Sequence, residues 1–205
     1  MTTLATVIEL QGLHTTYLNQ FPEEQKLQYP QPKLGSLYLS LSHFLKTTST
    51  EQLYSRKNFT GHLTASAFIL SADGKSVLLL DHKSLNRWLQ PGGHIDDTDN
   101  SILEAAYREV VEETGIAKEH LTLLSNNGDE NIPFDIDSHY IPANLRKSEV
   151  EHVHHDFRYL LQVVDDAEIQ ISEVESNDFQ WISLNDLLKI EDHQRVAEKI
   201  MAIVS

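Results

Sequence analysis

The run from Trp88 to Ile116, WLQPGGHIDDTDNSILEAAYREVVEETGI, decides how the rest of this 205-residue chain is read. It divides into a short strand, a glycine turn, an acidic loop and one helix. Ser101 followed by Glu104 has the spacing of a capping box, which sets the helix to begin at Ile102. Gly115 marks the far end, where a helix terminus favours a residue that accepts positive φ, and Ile116 supplies the apolar contact beyond it. At about 100° per residue, Leu103, Ala106, Tyr107 and Val110 fall on one side, while Glu109, Glu112 and Glu113 fall together on another. Like charges three and four residues apart cost a helix roughly a few tenths of a kcal/mol per pair. Stability therefore gives no reason to gather these acids. A hard divalent cation gives one, because it takes oxygen ligands and completes its shell with water and phosphate oxygens. For an isolated EVVEE run a solvated acidic face would be the plain reading. Gly92 and Gly93 argue against it by letting the backbone approach a ligand closely, and Arg108 is placed to orient one carboxylate by a bidentate pair.

With those residues in place, PGGHIDDTDNSILEAAYREVVEETGI resembles the Nudix box, the loop and helix of the Nudix hydrolase superfamily, whose REUXEEXGU ending is read from Arg108 to Ile116. Two departures are visible. The segment between Gly93 and Arg108 is one residue longer than the commonest form, and the upstream Glu of the motif is replaced by an aspartate, Asp96, Asp97 or Asp99. The resemblance implies an α/β fold, the Nudix-type α/β/α sandwich with a mixed sheet, here with an N-terminal helical extension. It implies Mg²⁺, with Mn²⁺ as a substitute, held by Glu109, Glu112, Glu113 and the Gly93 carbonyl. The implied activity is hydrolysis of a diphosphate bond in a nucleoside-diphosphate-linked small molecule. Glu109 is the first candidate for the base, with Glu130, Asp135, Asp137 and Glu149 as alternatives, and Glu112 and Arg108 complete the catalytic set. A nucleotide-binding regulatory domain without turnover and a Nudix-fold isomerase are the alternatives from other classes.

Composition agrees with a soluble enzyme. Sixteen basic against 31 acidic residues give a net charge of −15, which disfavours a nucleic-acid polymer or an anionic membrane as partner. Without cysteine there is no disulfide framework, thiol nucleophile or Cys-ligated zinc. The start MTTLATVIELQGL lacks the basic and apolar regions of a signal peptide, and no apolar run approaches a membrane span, so a cytoplasmic location is expected.

Outward from the box, residues 1–56 read as a helical extension and 57–205 as the catalytic domain. Helical periodicity runs over Leu4 to Phe21 and Leu34 to Leu45, on either side of Pro30 and Pro32. Leu37, Leu39, Leu41, Phe44 and Leu45 form an apolar surface expected to pack on the chain's own core, with a homodimer partner as the alternative cover. Leu63 to Leu70 and Ser76 to His82 read as a hairpin about Asp73-Gly74. Trp88 to Gln90 and His94-Ile95 continue the sheet. Further on come Leu121 to Ser125, a turn at Asn127-Gly128, strands Ile132 to Tyr140 and Val153 to Val164 joined by a polar loop, and a strand at Phe179 to Ile182. Ser183 then caps NDLLKI, and a last amphipathic helix carries Val196, Ile200 and Ile203. Asp135, Asp137 and His139 share one side of their strand, as do His154, Asp156 and Arg158. Arg158, His154 and Asp137 are the expected substrate contacts, with Arg158 clamping a phosphate. HVHH (His152 to His155) raises zinc, but it offers no i,i+4 pair on a helix and no thiol partner, so zinc is the minority reading. His94 is read as a surface or supporting histidine.

Overall fold

β3 (His62–Leu70) is the centre of the molecule: all nine residues are buried, on both faces of the sheet. The computed structural model describes residues 4–21, 33–34 and 37–38 (backbone only), 40–124, 129–144, 148–165 and 167–204. The turn expected at Asn127-Gly128 lies outside them.

β3 runs parallel to β9 (His152–Val163), in register from His62 opposite His154 to Leu70 opposite Gln162. β8 (Asp135–Ile141) and β7 (Leu121–Leu123) pair antiparallel with the far side of β9. On its other side β3 divides its hydrogen bonds. Thr64 to Ser66 pair with β6 (Gly92–His94), whereas β4 (Ser76–His82) takes only Ile69 and Leu70 before leaving for β5 (Arg87–Leu89) and β10 (Ser176–Ser183). The hairpin turn forms as expected, with Gly74 at φ +70°. Its strands diverge after two pairs, and the wedge between them admits the PGGH segment.

The resulting mixed sheet of eight strands is covered on both faces, an α/β/α sandwich. Leu63, Ala65, Ala67 and Ile69, with Phe157, Tyr159 and Leu161 of β9, pack under the box helix and three N-terminal helices. These are α1 (Val7–Gln20), α2 (Leu41–Thr47), α3 (Thr50–Leu53) and, for the box, α4 (Ile102–Thr114). On the opposite face Phe68, Leu70, Val77, Leu79 and Leu160 pack under α5 (Leu184–Leu187) and α6 (Gln194–Val204), where Val196 and Ile200 are buried as the amphipathic pattern requires. Ser183 caps α5 by accepting the Asp186 N–H at 3.1 Å. No described helix is long and apolar enough to cross a membrane.

The extension is part of the same core. Leu10, Tyr17, Leu41, Phe44, Leu45 and Leu53 are buried in one cluster with β3 and α4, each worth about 1.5–3 kcal/mol of burial. The helix expected over Leu34 to Leu45 is not continuous. β1 (Lys33–Leu34) pairs with β2 (Leu37–Tyr38), and the helix starts at Leu41, where Ser40 Oγ accepts the His43 N–H at 3.3 Å. Leu37, Leu39 and Leu41 recur every second residue, a spacing that suits extended chain as well as it suits a helix edge.

Candidate active site

α4 forms where the capping residues put it. Ser101 Oγ accepts the Glu104 N–H at 3.1 Å, and Gly115 closes the helix at φ 71° with its N–H on the Val111 carbonyl. The three acids on its face are not equivalent. Glu109 and Glu113 point inward and are buried, whereas the Glu112 side chain is 58% exposed.

Arg108 holds this group together. Its guanidinium grips Asp99 through two bonds (Nε to Oδ1 3.1 Å, Nη2 to Oδ2 3.0 Å), which picks Asp99 out of the three upstream aspartates. Nη1 donates to Glu109 Oε1 at 2.9 Å and to Glu112 Oε2 at 3.1 Å, and Nη2 donates to the His94 carbonyl at 2.8 Å. A planar fork of five donors can do this; an ammonium cannot. Asp99 Oδ2 also accepts the Asp96 N–H at 2.8 Å, which closes the acidic loop onto the helix.

The glycine pair acts through close approach. A Cβ on Gly93 would sit 2.6 Å from Glu109 Oε1, and one on Gly92 would sit 2.2 Å from Ser66 Cβ. With neither present, β6 lies against both β3 and the helix acids, and the Gly92 N–H reaches Glu113 Oε1 at 3.4 Å. Burial pushes Glu109 up to about 7 despite Arg108, and burial with Glu109 and Glu175 pushes Glu113 up to about 8. Two acidic side chains so placed favour a proton or a cation. A donor set made of carboxylate and carbonyl oxygens fits a hard divalent ion. Glu175, sixty residues beyond the helix and just before β10, adds a further acid that no local pattern could have found.

The expected substrate contacts are brought together, but they face one another. Across β8 and β9, Asp135 lies opposite Arg158, Asp137 opposite Asp156, and His139 opposite His154. Arg158 donates to Asp156 (3.1 Å), Asp135 (3.3 Å) and Asp137 (2.8 Å), and its side chain is 13% exposed. Arg158, expected as a phosphate clamp, is in this structure the hub of a largely buried network. Three neighbouring aspartates beneath α6 need a cation, and buried charges persist only when paired. Asp135 is fully buried and also takes both nitrogens of Arg195 (2.5 and 2.9 Å) and Lys199 (2.8 Å). Burial alone would raise Asp135, but these cations outweigh it and hold the carboxyl at about 2. Asp137 is likewise held well below the carboxylate range, by Arg158 and His139 against burial. His154 sits among other histidines rather than at an open surface.

Two shallow grooves border these groups. One, of about 310 Å³, runs beside Asp99, Tyr107, Arg108 and Glu112. The other, of about 270 Å³, is lined by Arg56, Lys57, Phe59, Ser148 and Glu149, with the Phe59 ring 5.8 Å from that of His152.

Residues 60–202 match the family model described as the NUDIX domain; residues before Thr60 lie outside the match. The chain is 31% identical over 130 residues to a probable DHNTP pyrophosphohydrolase of Lactococcus lactis subsp. cremoris (strain MG1363), which covers 63% of this chain and 70% of that protein. It is 27% identical over 121 residues to the asymmetrical bis(5'-nucleosyl)-tetraphosphatase of Rattus norvegicus, covering 58% of this chain and 71% of that one. A crystal structure of a NUDIX-family hydrolase from Clostridium perfringens superposes with a TM-score of 0.51 at 27% identity, over 70% of this chain and 98% of its own.

Proposed function

The chain belongs to the NUDIX family, and on that footing we propose that it is a pyrophosphohydrolase that splits a diphosphate bond in a nucleoside-diphosphate-linked small molecule. The observation that carries this reading is the cluster of Glu109, Glu112 and Glu113 on one helix, with Glu109 against Gly93 and with Arg108 and Asp99 keeping it in register. These residues would hold Mg²⁺, with Mn²⁺ as a substitute. When bound, the ion neutralises phosphate oxygens and makes water a better nucleophile at neutral pH.

The remaining work falls to the protein. Glu109 is the base that takes the proton of the attacking water, being a buried acid whose carboxylate lies against Gly93 and is fixed in orientation by Arg108. Of the alternative bases, Asp135 and Asp137 are held by cations and Glu149 pairs with Arg56 at 3.4 Å, facing the other groove. Arg108 is a positioning residue, since its donors go to Asp99, Glu109, Glu112 and a carbonyl. For the phosphates, the exposed cations Arg56 and Lys57 beside Phe59 offer charge with a stacking surface. Relatives named as a pyrophosphohydrolase and a tetraphosphatase support a phosphoanhydride substrate for this chain.

A panel of nucleoside triphosphates, dinucleoside polyphosphates, nucleotide sugars, ADP-ribose and dinucleotide cofactors, incubated with Mg²⁺, tests the proposal through identification of the products. Cleavage of a phosphoanhydride by the native chain, lost in Glu113→Gln, supports it. No cleavage across the panel, or undiminished cleavage by Glu113→Gln, overturns it.

A further inference from the structure

Away from the carboxylates, three adjacent strands each send one histidine to a single point. In the order β6, β3, β9 these are His94, His62 and His154; His62 is opposite His154 in the parallel ladder, and His94 is opposite Thr64 in the antiparallel one. One ring nitrogen from each lies within 4.8 Å of the others. The rings are 4.6 to 5.4 Å apart between centroids.

His62 gives the cluster its direction. It is 1% exposed, and its Nδ1 lies 3.4 Å from the Asn58 carbonyl. A proton on Nδ1 satisfies that carbonyl and leaves a lone pair on Nε2, which is buried without a hydrogen-bond partner among the described residues. An unsatisfied buried ring nitrogen is a standing cost in a fold, and a metal ion removes it. Beside the three, His152 Nδ1 is 2.8 Å from the Val150 carbonyl and its Nε2 is 3.1 Å from His154 Nε2; with the His152 proton on Nδ1, His154 donates from Nε2 and keeps the lone pair of its Nδ1. Tying one ring nitrogen to a protein oxygen is how ligating histidines are oriented.

We propose that His62, His94 and His154 form a three-imidazole site for a divalent transition ion, with Zn²⁺ the ion it suits best, separate from the carboxylate site of the box helix. Nitrogen donors without oxygen or sulfur suit zinc and its neighbours rather than Mg²⁺. Zinc binds imidazole nitrogen at about 2.0–2.1 Å, which places tetrahedral donors roughly 3.3 Å apart, so the rings need close by only about 1.5 Å. The same β6 segment would then be fixed from both sides: the His94 ring on the ion, and the His94 carbonyl on Arg108. A site spread over three strands has no local sequence signature, and a search for helical i,i+4 pairs misses it.

The test uses the full chain, stripped of metal by chelation and titrated with Zn²⁺ in the presence of saturating Mg²⁺, with Co²⁺ as an optical probe. One Zn²⁺ per chain should bind, raise the melting temperature and give intense tetrahedral Co²⁺ bands. Because His62→Ala risks unfolding the core, the half-buried His94→Gln and His154→Ala are the variants of choice. Each should weaken Zn²⁺ binding by about a hundred-fold and lose the Co²⁺ bands, while Glu113→Gln keeps both. Zn²⁺ binding equal in the native chain and the folded histidine variants overturns the proposal. So does loss of the Co²⁺ bands in Glu113→Gln but not in His94→Gln, which would place the ion on the carboxylates.

Discussion

Replacing Glu113 by glutamine probes the carboxylate cluster without any substrate. In the fold its carboxyl rises from 4.5 to about 8, so the native state holds the proton more tightly than the unfolded chain does. The sign is the reverse of that for an ion-paired acid. Between pH 4.5 and 8 the native state carries the extra proton, stability falls as pH rises through that window, and the full cost is present above it. Three to four decades of proton affinity correspond to about 5 kcal/mol as a ceiling. Relaxation and water entry leave about 2 kcal/mol of it. In a chain of this length 1 kcal/mol moves Tm by about 2–4 °C. Glutamine is neutral throughout and its oxygen can keep the Gly92 N–H. In chelator, therefore, Glu113→Gln should melt with the native protein at pH 5 and about 4–8 °C above it at pH 8.5, and Mg²⁺ should narrow the gap by stabilising only the native chain. Thermal unfolding followed by circular dichroism across that range measures it. A variant no more stable than the native chain at pH 8.5, or a difference independent of pH, would refute the reasoning.

Asp135→Asn should cost about 3–5 kcal/mol at pH 7 by leaving Arg158, Arg195 and Lys199 short of their shared anion. Because Asp135 is held at about 2, that contribution is present above its unfolded value of 3.8 and should fade as pH falls toward 2, as urea midpoints at pH 7 and pH 3 would reveal. Arg158→Lys should lower Tm and leave KM within about twofold, since its fork serves three aspartates; a raised KM at unchanged Tm would return it to the substrate. Gly93→Ala should cut kcat about a hundred-fold, because its Cβ displaces the Glu109 carboxylate. A far-ultraviolet spectrum should stay native, the displaced atoms being the end of a flexible side chain, and full activity would show that Glu109 has no need of its position.

What could be read from the chain was whatever is local. The cap at Ser101, the αL glycine at 115 and the turn at Asp73-Gly74 rest on residues within a few positions of one another, and each is found where the pattern puts it. The acidic face of α4 was legible for the same reason, although periodicity could not say that Glu112 stays exposed while Glu109 and Glu113 sink against a glycine pair. The role of Arg158 was not legible. Alternation gave the correct face, but whether that face meets solvent or α6 depends on Arg195 and Lys199, forty residues later. The histidine cluster has the same cause, as its members are separated in sequence and joined only by strand register. Leu34 to Leu45 misled because a spacing of two and a helical stripe overlap in a short run of leucines.

The parallel pairing of β3 with β9 also sets an order of events in time. Partners such as Thr64 and Asp156 are 92 residues apart, so closing that loop costs about 4 kcal/mol of chain entropy before any ladder bond repays it. While the chain is being synthesised, the apolar stretch HLTASAFIL stands with one edge unpaired until β9 emerges, and with one face uncovered until α6 follows. The N-terminal helices, made first, can shield only the other face. Chains cut short before β9 would thus expose a long sticky strand, and the protein should fold slowly, late and as one cooperative unit.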